Sequence, residues 1–109
     1  MLVEQPFVSD RFRFGGTIDC LAKIDGQLVL LDFKTSKGIF PEMLIQLAAY
    51  NQLLAEAGHI THHAMILRIG RDADEGFEER HVTALAQQWE LFTHCLAIYR
   101  LQNEIKRGS

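Results

Sequence analysis

A chain of 109 residues, 48% of them apolar, is long enough for one domain around one core and too apolar to stay disordered. Its formal net charge of −3 excludes a globally basic nucleic-acid binder and leaves room for a local basic site. With no leader and no apolar run of membrane-spanning length, a soluble intracellular protein is expected, with Cys20 and Cys95 as buried reduced thiols.

The opening stretch VEQPFVSDRFRFGG mixes apolar and charged residues, and Asp10-Arg11 predicts a turn between two short extended pieces. In GTIDCLAKIDGQLVLLDFKT, Asp25-Gly26 separates two runs of β type. That pair predicts a hairpin closed by a two-residue type I′ turn, which needs positive φ at both positions. Pro41 to Ala57 predicts a helix: Pro41 suits the first helical position, Glu42 favours the positive end of the dipole, and Gly58 can end it. Leu44, Leu47, Ala48 and Leu54 form its apolar stripe. HAMILRIG, residues 63–70, reads as a buried strand, RDADEG as a turn and FEERHV as a short edge strand. From Thr83 to Lys106, Leu85, Trp89, Phe92, Leu96 and Tyr99 recur at spacings of four and three, which is one face of a helix.

The run LLDFKTSK, residues 30–37, sets a carboxylate and an ammonium two residues apart within an apolar strand, so Asp32 and Lys34 project from one face. With a two-residue loop at Asp25-Gly26, Ile24 pairs with Gln27, Asp19 falls opposite Asp32, and Thr17 falls opposite Lys34. The reverse face then carries Ile18, Cys20, Ala22, Ile24, Val29, Leu31 and Phe33 and reads as the core surface. Two carboxylates roughly 5 Å apart at an effective dielectric near 20 repel by about 3 kcal/mol. Lys34 offsets part of that. A hard divalent cation, Mg²⁺ or Mn²⁺, would offset more. The alternative is a solvated hairpin end with an ordinary surface ion pair.

GTID (16–19), LDFKTSK (31–37) and QLAAY (46–50) resemble, in order and spacing, the G-x-x-D, (D/E)-x-K and Q-x-x-x-Y motifs of the PD-(D/E)XK nuclease superfamily, in its RecB-like exonuclease branch. The likeness covers about residues 4–70. It implies one α/β domain over residues 1–109, with a restriction-endonuclease-like core, a central mixed β-sheet and flanking helices. The helices that precede the first motif in that family are expected to be absent here. The resemblance further implies Asp19 and Asp32 as ligands of Mg²⁺ or Mn²⁺, with the Phe33 carbonyl and Glu4 as further ligands. Lys34 would orient and help deprotonate the attacking water. Gln46 and Tyr50, one helical turn apart, would help place substrate. The implied activity is metal-dependent hydrolysis of DNA, by an exonuclease or a structure-specific nuclease. The implied partners are DNA and a second copy of the chain or a helicase or recombination protein, with no membrane.

A rival of another class is a catalytically silent relative that binds nucleic acid or protein. Lys37, Arg11, Arg13, Lys23, Arg68 and Arg71 are candidate phosphate contacts, and the acidic run from Asp72 to Glu79 is expected to face away from nucleic acid. His59, His62 and His63 lack a second ligand pair at zinc spacing. Two cysteines cannot supply the four ligands of an iron–sulfur cluster.

Overall fold

A computed structural model describes residues 1–108. Five strands and two helices follow one another as β1 (Leu2–Ser9), β2 (Phe14–Ile24), β3 (Gln27–Thr35), α1 (Pro41–Glu56), β4 (His63–Ile69), β5 (Phe77–Val82) and α2 (Ala86–Arg107). The strands form one mixed sheet in the order β1-β2-β3-β4-β5. Only the β3–β4 pair is parallel, because α1 carries the chain back between them. The architecture is α/β, and β5 is an edge strand as its sequence predicts.

Local signals set most of these boundaries. Asp25 and Gly26 take φ of 50° and 78°, so the β2–β3 hairpin closes on a two-residue turn with Ile24 opposite Gln27. Pro41 opens α1, and Gly58, at φ 92°, follows its end. On α1 the buried residues are Leu47, Ala48, Ala49, Leu53 and Leu54, a broader face than the predicted stripe, with Leu44 only half-buried. The extra width reflects contact with α2 as well as the sheet.

The core departs from expectation in one respect. The main cluster gathers Ile18, Leu21, Leu30, Leu47, Leu54, Ala64 and Ile66 on the sheet face covered by α1. That is the face of Asp32 and Lys34, since Leu30 alternates with them along β3. The reverse face holds only a smaller cluster, Cys20, Val29, Leu31 and Met65, flanked by Ala22 and Leu67. Ile24, Phe33, Ile69 and Phe77 continue that face by alternation and register and remain exposed. The helix returning from β3 to β4 selects the covered face, and the hairpin alone does not reveal on which side it will cross.

Ile18 is the residue that changes sides. It shares a cluster with Leu21, three positions on, which strict alternation forbids. The β1–β2 pairing passes from Val3–Cys20 to Gln5–Ile18 and skips Glu4 and Asp19, and Glu4 adopts φ 48°. One residue is skipped in each strand, so the register is the same on both sides while the side chains change face together. Likewise the regular β2–β3 ladder runs only as far as Cys20–Leu31, short of the expected Asp19–Asp32 and Thr17–Lys34 pairs. Both cysteines are free thiols, but Cys95 is exposed on α2 rather than buried.

Candidate active site

Asp32 sits in the second half of β3, among residues 30–32 that are all buried. Its own exposure is 2%. Burial, together with a hydrogen-bonding contact to the Asp19 carboxylate, pushes its carboxyl up to about 6, against the lowering effect of Lys34. Oδ2 lies 3.2 Å from Lys34 Nζ, yet the approach lacks hydrogen-bond geometry, which leaves Oδ2 a buried acceptor without a hydrogen-bond partner among the described residues. An ion pair of this kind compensates charge incompletely.

Asp19 reaches the same place from the interrupted part of β2. Its Oδ2 accepts a hydrogen bond of 2.8 Å from the Phe33 N–H, closing the gap where the regular ladder has stopped. The side chain therefore ties β2 to β3 and holds its carboxylate against that of Asp32. The expected juxtaposition of these two residues is present, although it arises through a side-chain bridge rather than a regular cross-strand pair.

Lys34 is fixed from the helix side. Its Nζ donates to Gln46 Oε1 at 2.6 Å, and Gln46 Nε2 donates to the Tyr50 hydroxyl at 2.9 Å. The i, i+4 spacing of Gln46 and Tyr50 on α1 makes the second bond possible. Burial, followed by the negative charges of Asp32 and Asp19, raises the Tyr50 pKa, so the phenol stays protonated. Its ring rests on Gly16: a Cβ there would stand 2.8 Å from Tyr50 Cε1. The glycine of GTID is thus required by the tyrosine of QLAAY, and the three motif segments meet at one point.

Glu4 shares the cross-strand row of Asp19 but joins no group of three or more His, Cys, Asp or Glu side chains suited to a metal among the described residues. Phe33 lies between Asp32 and Lys34, with its side chain exposed on the reverse face. The residues present nevertheless fit a hard cation in one respect. They offer two facing carboxylates and a buried oxygen with no hydrogen-bond partner among the described residues, and Mg²⁺ is commonly held by one or two carboxylates while keeping several waters.

Arg68 has a role that its sequence context does not announce. It stands beside Lys34 in the parallel register and is 6% exposed. It pairs with Glu78 at 3.3 Å and donates to the Ser36 carbonyl at 2.9 Å, pinning the segment that follows Lys34. Arg71 is likewise engaged, by Glu75 at 2.5 Å. Both candidate phosphate contacts are thus already ion-paired within the chain. A cleft of about 360 Å³ beside Gln46 and Tyr50, walled by Phe14 and Phe92, also went unforeseen, because it forms only where α2 meets β2. No family model matches the chain, and no curated protein is significantly similar to it in sequence.

Proposed function

We propose that this chain is a metal-dependent deoxyribonuclease with a restriction-endonuclease-like core. The observation that carries the reading is the buried Oδ2 of Asp32, ion-paired with Lys34 but without a hydrogen bond among the described residues, and held beside a second carboxylate. A structural ion pair would gain little from that arrangement, since burying charge without full compensation is destabilising. Sites that handle charged substrates accept such a penalty. Asp19 and Asp32 would hold Mg²⁺ or Mn²⁺, which supplies Lewis-acid polarisation of the phosphate and charge neutralisation.

The remaining roles belong to the chain's own groups. Lys34 presents an ammonium beside the position a phosphate would take, where it orients the attacking water and stabilises charge developing on the phosphate oxygens. Gln46 limits the freedom of Nζ, and Tyr50 limits that of Gln46, so the ammonium is pre-positioned rather than mobile. The Asp19 bridge to Phe33 keeps the carboxylates together where the ladder alone would let the strands part.

The test is cleavage of end-labelled single- and double-stranded DNA with Mg²⁺, Mn²⁺ or EDTA. The reading predicts cleavage with either cation and none with EDTA, and a loss of about a hundredfold or more in Lys34→Ala. DNA binding without cleavage under every condition would instead mark a silent binding module. Cleavage undiminished in Lys34→Ala would place the chemistry on other residues.

A further inference from the structure

The cleft walled by Phe14 and Phe92 opens against Gln46 and Tyr50, one hydrogen bond from Lys34. Its floor on the sheet side is Gly15 and Gly16, which lack side chains, and Ile45 and Ala49 of α1 close another side. Phe14 and Phe92 are in ring contact, 4.8 Å between centroids, and so form one aromatic wall of the cleft, continuous with Trp89 behind it, on which a single ring could stack. A volume of about 360 Å³ is at the small end of the roughly 300–1,000 Å³ range of ligand sites. It suits one planar ring system and excludes a duplex. Gly16 and Asp19 are three residues apart on β2, which puts the cleft about 10 Å from the carboxylate pair.

The turn that leads into Phe14 carries two arginines against one carboxylate, Asp10, and Arg13 and Phe14 share a neighbouring depression. The segment RFRF, residues 11–14, alternates exposed arginines with half-buried phenylalanines across the β1–β2 turn and into the first residue of β2. Arg11 lies 5.0 Å from the Phe12 ring centroid, and neither Arg11 nor Arg13 enters an ion pair among the described residues. Glu42 is the one carboxylate lining the cleft. It disfavours a phosphate inside and offers an acceptor to a ring or exocyclic N–H of a base. Aromatic walls within and arginines outside match a base and its phosphate respectively.

From this juxtaposition we infer that the Phe14–Phe92 cleft receives an unpaired nucleobase a nucleotide or two from the scissile phosphate, so that the substrate is single-stranded DNA or a frayed end. The inference rests on the nuclease reading of the neighbouring carboxylates for its location. Stacking explains affinity without sequence choice, since every base has a π-face.

Fluorescence anisotropy in EDTA, where cleavage is suppressed, tests it with three probes: a short oligothymidylate, an abasic strand of the same length, and a blunt duplex. The expected result is roughly tenfold tighter binding of oligothymidylate than of the abasic strand, the size of one stacked base. Ile45→Trp, which fills the cleft from a half-buried position, and Phe92→Leu, which keeps an apolar wall without a π-face, should both erase that difference. Arg13→Asn should weaken the thymidylate and abasic strands equally, asparagine tolerating the φ of 58° found there. Equal affinity of wild type for the two strands, or a base preference surviving in a folded Ile45→Trp, would overturn the inference. A parallel cleavage assay in Mn²⁺ separates the two claims. Cleavage without base preference overturns the cleft assignment alone, while base-dependent binding without cleavage supports the cleft and overturns the nuclease reading.

Discussion

Because the folded chain holds the Asp32 proton up to about pH 6, against 3.8 for a free carboxyl, the folded state binds more protons than the unfolded chain between those values. The contribution of Asp32 to stability therefore falls as pH rises from about 4 to about 6 and is level above that, and at neutral pH its ionised carboxylate costs the fold on the order of 3 kcal/mol. Asp32→Asn should accordingly raise the melting temperature of the metal-free protein by several degrees at pH 7.5, with the gain vanishing below about pH 4. Differential scanning fluorimetry across that range checks the sign, and a variant less stable at pH 7.5 would show that Lys34 compensates the charge fully. Gly16→Ala tests the opposite side of the site. Its added methyl meets the Tyr50 ring at 2.8 Å, so overpacking should cost about 1–3 kcal/mol in urea unfolding and reduce DNA cleavage. Unchanged stability and cleavage would mean that the ring moves aside freely.

Among the elements, α1 and α2 differ in what supports them. α1 buries five residues between sheet and α2, whereas α2 buries none completely. The predicted stripe of α2 meets the fold through Trp89, Phe92 and Leu96, but Tyr99 is 61% exposed. Arg100 donates to the Phe12 carbonyl at the β1–β2 turn, and Leu101 beyond it is exposed. Amide exchange should thus be fast for residues 101–107 and slow for residues 47–54, as read by mass spectrometry. Equal protection would indicate an additional contact surface on the last turns of α2. The same contrast governs what the sequence discloses. Asp25-Gly26, Pro41 and Gly58 are local signals, so the hairpin and α1 were legible from single residues and their neighbours. The phase change at Glu4 and Asp19 was not, since TIDC alternates regularly and the skipped pair exists only once β1 lies alongside. Nor was Arg68 beside Lys34, because a parallel register depends on where the crossover ends. At the site itself, Asp19, Asp32, Lys34, Gln46 and Tyr50 are brought together as their motif order implies.

The molecule as a whole is extended for its size. Its radius of gyration is 15.5 Å, against about 13 Å for a compact domain of this length, and its extents are 49 × 35 × 24 Å. No described helix is long and apolar enough to cross a membrane. The covered face of the sheet concentrates the core, the carboxylate pair and the aromatic cleft, so the molecule's structural support and its proposed chemistry lie on one side. A cation bound there acts on the entire fold by linkage, because the unfolded chain does not assemble the pair. The most direct measurement is therefore calorimetric titration of Mn²⁺ into the wild type, Asp19→Asn, Asp32→Asn and Lys34→Ala at pH 7.5. The account predicts a single site in the wild type, at least tenfold weaker binding in each Asp→Asn variant, and undiminished or tighter binding in Lys34→Ala, where the competing ammonium is gone. Wild-type affinity retained in both Asp→Asn variants, or no Mn²⁺ binding by the wild type, would contradict it.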